Sequence, residues 1–118
     1  MAVVVVVLVL LPRARDDQRP PPPQAGVIQL GTPARPNLPP LEQPVRRLDG
    51  STALLSMTSL DRQGGRLVGH VRVQNGFQVT VLDLNEGASG EAYGVRIRVV
   101  HLWSMPAPVH DAIDVMVT

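Results

Sequence analysis

The second half of the chain alternates apolar and polar residues with a period of two, which is typical of β-strands with one buried face. In the run 67–74 the odd-numbered residues are Leu, Gly, Val and Val, and the even-numbered Val, His, Arg and Gln are expected mostly to face water. The predicted strands are 52–60, 67–74, 77–84, 93–103 and 112–117. A helix over 109–117 is the alternative for the last strand.

Three of the other runs divide into two faces in the same way. The residues predicted to share one face are Ala53, Leu55 and Met57 in the first strand, Phe77, Val79 and Val81 in the third, and Val95, Ile97, Val99 and His101 in the fourth.

Turn signals separate these runs. Gln63, Gly64 and Gly65 form one turn, and residues 85–90 form a polar, glycine-bearing loop. Asn75–Gly76 predicts a two-residue hairpin, because both residues tolerate the positive φ of a type I′ turn. The pattern predicts an all-β domain, a small antiparallel β-meander or sandwich of about five strands, after a disordered proline-rich N-terminal half.

Proline is concentrated at the start of the chain: ten of the twelve prolines lie in the first 44 residues. Because each proline fixes φ and removes a backbone donor, we expect an extended or disordered linker there. The predicted organisation is an apolar segment at 1–14, a proline-rich linker at 15–47 and a β-rich domain at 48–118. Within the linker, the apolar island 27–30 is a candidate short strand.

Ala2 to Leu11 is an uninterrupted apolar run of ten residues, too short to cross a bilayer as a helix. Its length suits a signal peptide or a membrane anchor, which would make the protein secreted or membrane-associated. The alternatives are a β-branched strand added to the edge of a sheet and an exposed apolar segment with membrane affinity.

The amino-acid composition excludes some kinds of site and argues against one class of partner. The chain has no cysteine, so disulfides and thiolate metal sites are excluded. Its net charge is +1 and both halves are nearly balanced, which argues against a nucleic-acid partner. A domain this small is marginally stable alone, so pairing with a protein partner or as a homodimer is expected.

Few residues in the sequence suggest a metal-binding or catalytic site. His110, Asp111 and Asp114 form the densest cluster of metal-ligand types, but their spacing is not that of a metal site. His70 is expected to be solvated on an outward position. The segment 87–90 lacks the context of a nucleophile elbow, and the nearby acids Asp83, Glu86 and Glu91 predict no paired carboxylates. We predict no catalytic, cofactor or metal residues.

Two groups of residues are candidates for partner binding. Leu38, Pro39, Pro40 and Leu41 form the core of an SH3-type ligand, although an ordinary spacer is the more common reading of such a run. Arg72, Arg96 and Arg98 occupy outward strand positions and are a candidate stripe for an anionic partner or lipid headgroups. The alternative for the arginines is cross-strand pairing with acids or glutamine.

These observations predict a non-enzymatic interaction module on a proline-rich spacer, self-associating or bound to a partner. The alternative is a viral or overprinted accessory protein that associates with membrane or lipid through its apolar N-terminus and β-domain. Overprinting is suggested by the five valines from Val3 to Val7, because the frame one base earlier would encode Gly, Arg, Ser or Cys repeatedly. The alternative for this run is a simple repeat in a GC-rich genome.

Overall fold

The computed structural model describes residues 18–32 and 41–118, in which two antiparallel sheets pack face to face. The strands are β1 Ile28–Gly31, β2 Gln43–Arg46, β3 Thr52–Gln63, β4 Arg66–Asn75, β5 Gln78–Leu84, β6 Ser89–Ala92, β7 Val95–Trp103 and β8 Ala112–Val117. Sheet A has the strand order β1-β8-β7-β6, and sheet B has the order β2-β3-β4-β5. No helix within these two described ranges is long and apolar enough to span a membrane.

The predicted all-β fold class is confirmed, and the five predicted strands correspond to β3, β4, β5, β7 and β8. The last segment is a strand and not the alternative helix, because β8 is paired on both sides, with β7 and with β1. Three further strands, β1, β2 and β6, are only four residues long each. The prediction of a loop over 85–90 is wrong at its end, where Ser89 and Gly90 pair with Arg98 and Ile97 in β6.

The proline-rich segment 15–47 contributes an edge strand to each sheet. Strand β1 corresponds to the apolar island of the sequence and places Leu30, which is 2% exposed, opposite Ile113 of β8. Strand β2 places Val45, which is 7% exposed, opposite Ala53 of β3. Pro44 is tolerated in β2 because an edge strand needs only one row of backbone donors.

One core fills the space between the sheets, and it consists of aliphatic residues from the alternating runs. Its fully buried members include Leu55, Val71, Val73, Ile97, Val99, Ile113 and Val115. The sheets approach closely at Gly69, where a Cβ atom would lie 2.7 Å from Leu102 Cδ2 and 2.9 Å from Ile113 Cδ1. Any side chain at this position would therefore displace core residues of sheet A.

A bulge in β7 reverses the predicted alternation at its end. The register shifts between Val99 and His101, so that Val100 is an extra residue in the pairing with β8. An extra residue moves every later side chain to the opposite face. His101 is therefore exposed and Leu102 is buried, contrary to the prediction that His101 shares the face of Val99.

The predicted type I′ turn at Asn75–Gly76 is wrong, because Asn75 pairs with Gln78 and the loop is Gly76–Phe77. Gly76 has φ of 60° and Phe77 does not have positive φ, so glycine occupies the first central position, as in a type II′ turn. Two-residue loops with positive φ at both positions occur at Gly64–Gly65 and at Tyr93–Gly94.

Candidate interaction surface

The candidate ligand motif lies mostly outside the described residues, which include only its last member, Leu41. This side chain is 57% exposed and stands just before β2. Binding of an SH3-type partner by the four residues therefore stays a prediction.

The three candidate arginines do not form one stripe. Arg72 lies on β4 in sheet B, whereas Arg96 and Arg98 lie on β7 in sheet A, so they occupy the two opposite outer faces of the sandwich. The expectation that neighbouring strands bring them together is corrected for this reason. Arg72 Nη1 donates a hydrogen bond to Gln74 Oε1 at 2.9 Å. Arg96 is opposite Glu91 in the β6–β7 register.

Strand β5 presents apolar side chains to solvent. Phe77 at the hairpin loop is fully exposed, Val79 is 43% exposed and Val81 is 46% exposed. The other face of the strand turns inward and ends in the buried Leu84. Arg72 is opposite Val81 in the β4–β5 register. We call Phe77, Val79, Val81 and Arg72 the edge surface.

The edge surface lies on an unpaired strand edge. In the part of the chain that the structure describes, β5 is the last strand of sheet B and pairs only with β4. No backbone hydrogen bond outside that ladder involves residues 78–84 within the same part. Such an edge is a template for another strand, and proteins usually protect it with lysine, proline, a bulge or charges. Strand β5 has only one charged residue, Asp83.

His70 binds that one charged residue. Its Nδ1 lies 2.6 Å from Asp83 Oδ1 on β5, and its Nε2 lies 2.8 Å from Asp61 Oδ2 on β3. The imidazole is 13% exposed, so the prediction of a solvated histidine is wrong. Hydrogen bonding to Asp83, with a smaller contribution from Asp61, raises the pKa of His70 above its usual value, although burial opposes this. The protonated ring can donate to both carboxylates, which joins three strands.

The sequence could have predicted this cluster, but only if the loop of the β4–β5 hairpin had been assigned correctly. Counting back from the pair Asn75 and Gln78 places His70 opposite Asp83. A hairpin with Asn75–Gly76 as its loop would pair these strands in another register, so the two residues would not be opposite each other. An error in the turn therefore concealed the cluster.

The two carboxylates among the candidate metal ligands, Asp111 and Asp114, bind other groups. Asp114 is 4% exposed and accepts hydrogen bonds from Trp103 Nε1 and Gln29 Nε2, both at 2.9 Å. Asp111 Oδ1 accepts a hydrogen bond from the backbone N–H of Met105 at 2.7 Å, and burial raises the pKa of Asp111. Across residues 18–32 and 41–118, no three His, Asp or Glu side chains are grouped so as to hold a metal ion.

The three acids considered above as paired carboxylates, Asp83, Glu86 and Glu91, also have separate positions and partners. Asp83 binds His70, and Glu91 lies on β6. Glu86 Oε2 accepts a hydrogen bond from the backbone N–H of Leu102 at 3.0 Å, where it supports the bulged end of β7.

Comparison of the chain with protein-family models, with curated proteins and with solved structures finds no match.

Proposed function

We propose that the protein is a non-enzymatic interaction module that self-associates by pairing β5 with β5 of a second copy. The observation that carries this proposal is the edge surface, where apolar side chains point outward beside an unpaired backbone edge. Apolar side chains and unpaired backbone groups both gain from burial in a partner, and a partner strand supplies both at once.

A second copy fits this edge better than a charged partner does. Antiparallel pairing of a strand with its own copy is self-complementary, because a two-fold axis places the same patch on both sides. Val79 and Val81 of each copy would then lie beside the same valines of the other, and each such cross-strand pair contributes about 0.2–1 kcal/mol. Asp83, the only charge on β5, is already bound by His70, which reduces like-charge repulsion.

The proposal is tested by analytical ultracentrifugation of the full chain over a range of about 1 to 500 µM. We expect a monomer–dimer equilibrium, which Val79→Lys weakens by about tenfold or more, because a charged edge side chain opposes strand pairing. Val109→Lys is the matched control, because Val109 is 39% exposed and lies outside the strands. The proposal is contradicted if the wild type stays monomeric, or if Val79→Lys dimerises like the wild type while its circular dichroism is unchanged.

A second candidate function, an accessory protein associated with lipid, is favoured by the position of Phe77. This ring is fully exposed at the loop of the β4–β5 hairpin, where it can enter an apolar phase. The test is flotation with vesicles of phosphatidylcholine and phosphatidylserine. A lipid role predicts that Phe77→Ser lowers the floating fraction and that Val109→Ser, the matched uncharged change at another exposed apolar residue, leaves it unchanged. Equal flotation of Phe77→Ser and the wild type would contradict a role for this loop.

A further inference from the structure

A short proline segment stands over the outer face of sheet A. Pro21, Pro22 and Pro23 line a cavity of about 270 Å³ together with Val100, His101 and Trp103. We call the part of the sheet A face formed by Val100, His101 and Trp103 the Trp103 groove. The three prolines remain exposed on their other sides, so the segment is held along one edge and is not part of the core.

A chain of hydrogen bonds connects the proline segment to the indole. Gln29 Nε2 donates to the carbonyl oxygen of Pro21 at 3.0 Å and to Asp114 Oδ1 at 2.9 Å. The other oxygen of Asp114 accepts from Trp103 Nε1 at 2.9 Å. Because Asp114 is buried, its two hydrogen bonds fix both the amide that holds the proline carbonyl and the ring that faces the prolines.

The face around the indole carries a second ring. The centroids of His101 and Trp103 are 5.1 Å apart, with the ring planes inclined at 45°. The bulge in β7 is what turns His101 outward to this position. Aromatic rings together with a donor for a proline carbonyl are the elements by which proteins bind polyproline II segments. Such segments are already extended, so they lose little entropy on docking.

We infer that the Trp103 groove is a receptor site for a polyproline II segment, occupied in cis by residues 21–24. This inference concerns sheet A and does not rest on the proposed pairing of β5. Only the four residues 24–27 separate Pro23 from the start of β1, so the segment has a high effective concentration at its site, on the order of mM. External proline-rich peptides therefore bind only when the cis segment is displaced.

The test uses the full chain with Pro20, Pro21, Pro22 and Pro23 replaced by serine, together with a labelled peptide of sequence RPPPPQ, which copies residues 19–24. Trp103 is the only tryptophan, so its emission reports directly on the groove. We expect the four-serine variant to show red-shifted emission and to bind the peptide about tenfold more tightly than the wild type does. Saturation with the peptide should reverse the red shift.

Two controls make the test specific. The peptide RSSSSQ should not bind, and Pro106→Ser, a change outside the segment, should leave emission and peptide binding as in the wild type. Trp103→Phe in the four-serine background should weaken binding of the labelled RPPPPQ peptide at least several-fold in fluorescence polarisation.

The inference is overturned if the four-serine variant keeps the wild-type emission and circular dichroism, or if it is folded and does not bind RPPPPQ. If four substitutions prevent folding, Pro22→Ser alone is measured by acrylamide quenching of Trp103. A rise in quenching over the wild type supports the inference, and unchanged quenching overturns it.

Discussion

The two outer faces of the sandwich differ in how their apolar groups are covered. On sheet A, Val100 and Trp103 are half-buried beneath the chain's own proline segment. On sheet B, Val79 and Val81 of β5 are exposed beside an unpaired edge. Two sheets of equal strand number therefore present one face that the chain partly covers by itself and one strand edge that is left unpaired in the described part of the chain.

The polar groups of the two faces differ as well. On sheet A, Asp114 is buried and bound by neutral donors from Gln29 and Trp103. On sheet B, His70 is held between two carboxylates that are 56% and 63% exposed. Hydrogen bonding to these carboxylates raises the pKa of His70, so the charge of this cluster on the outer face of sheet B depends on pH.

The largest expected effect comes from the core that joins the faces. Ile113→Ala should lower the free energy of unfolding by about 2–5 kcal/mol, because the side chain is fully buried and packs where Gly69 brings the sheets together. Urea denaturation followed by circular dichroism measures this loss. Self-association through the edge surface and binding of proline segments at the Trp103 groove should be lost together in this variant. If one of them persists in an otherwise unfolded variant, the two faces do not depend on one sandwich.

Substitution of His70 tests the charged cluster on sheet B. Because the pKa of His70 is raised in the folded state, its contribution to stability is complete below the unfolded pKa and is lost as pH rises through the folded pKa. We expect wild-type stability to fall by about 1 kcal/mol more than that of His70→Gln between about pH 6 and pH 9. If the stability of the two proteins changes with pH in parallel, a protonated His70 that donates to both carboxylates is contradicted.

A contact between the two sheets is tested at Tyr93. Thr80 Oγ1 on β5 donates a hydrogen bond to the Tyr93 hydroxyl at 2.8 Å, which connects sheet B to the β6–β7 loop of sheet A. Tyr93→Phe should lower the free energy of unfolding by about 1 kcal/mol. A double-mutant cycle with Thr80→Val should show that the two losses are not additive. Fully additive losses would mean that this hydrogen bond contributes nothing to the free energy of unfolding.

The smallest expected effect concerns the arginines. Arg72 is the member of the edge surface that lies on β4 and not on the unpaired strand, so Arg72→Gln should weaken self-association by less than about threefold. The double substitution Arg96→Gln and Arg98→Gln, on the opposite face, should leave self-association unchanged. Sedimentation equilibrium of both variants measures this contrast. A larger loss from the sheet A pair than from Arg72 would place the dimer contact on the wrong face.

The fold class was predictable because burial between two sheets imposes a period of two, which the runs 67–74 and 93–103 carry clearly. The short strands β1, β2 and β6 were harder to predict, because only tertiary pairing makes four residues a strand. The bulge at Val100 also left no local signal, since valine suits a regular strand equally well.

The candidate surfaces depended on register more than on composition. Strand β5 was predicted, but which of its faces points outward is set by packing against sheet A. The cavity at the Trp103 groove joins Pro21 to Asp114 across most of the described chain, and no local pattern specifies such a contact. The arginines were correctly placed on outward positions, yet sheet membership separated Arg72 from the other two.

Hydrogen exchange at the backbone amides of residues 78–84 tests whether β5 pairs with β5 of a second copy. We predict that those amides of β5 that are not bonded to β4 exchange rapidly in dilute protein and become protected as the concentration rises through the dimer range. The amides of β8, which is paired on both sides, should not change. Protection of β5 that is independent of concentration, in a sample shown to form dimers, would contradict pairing through this strand.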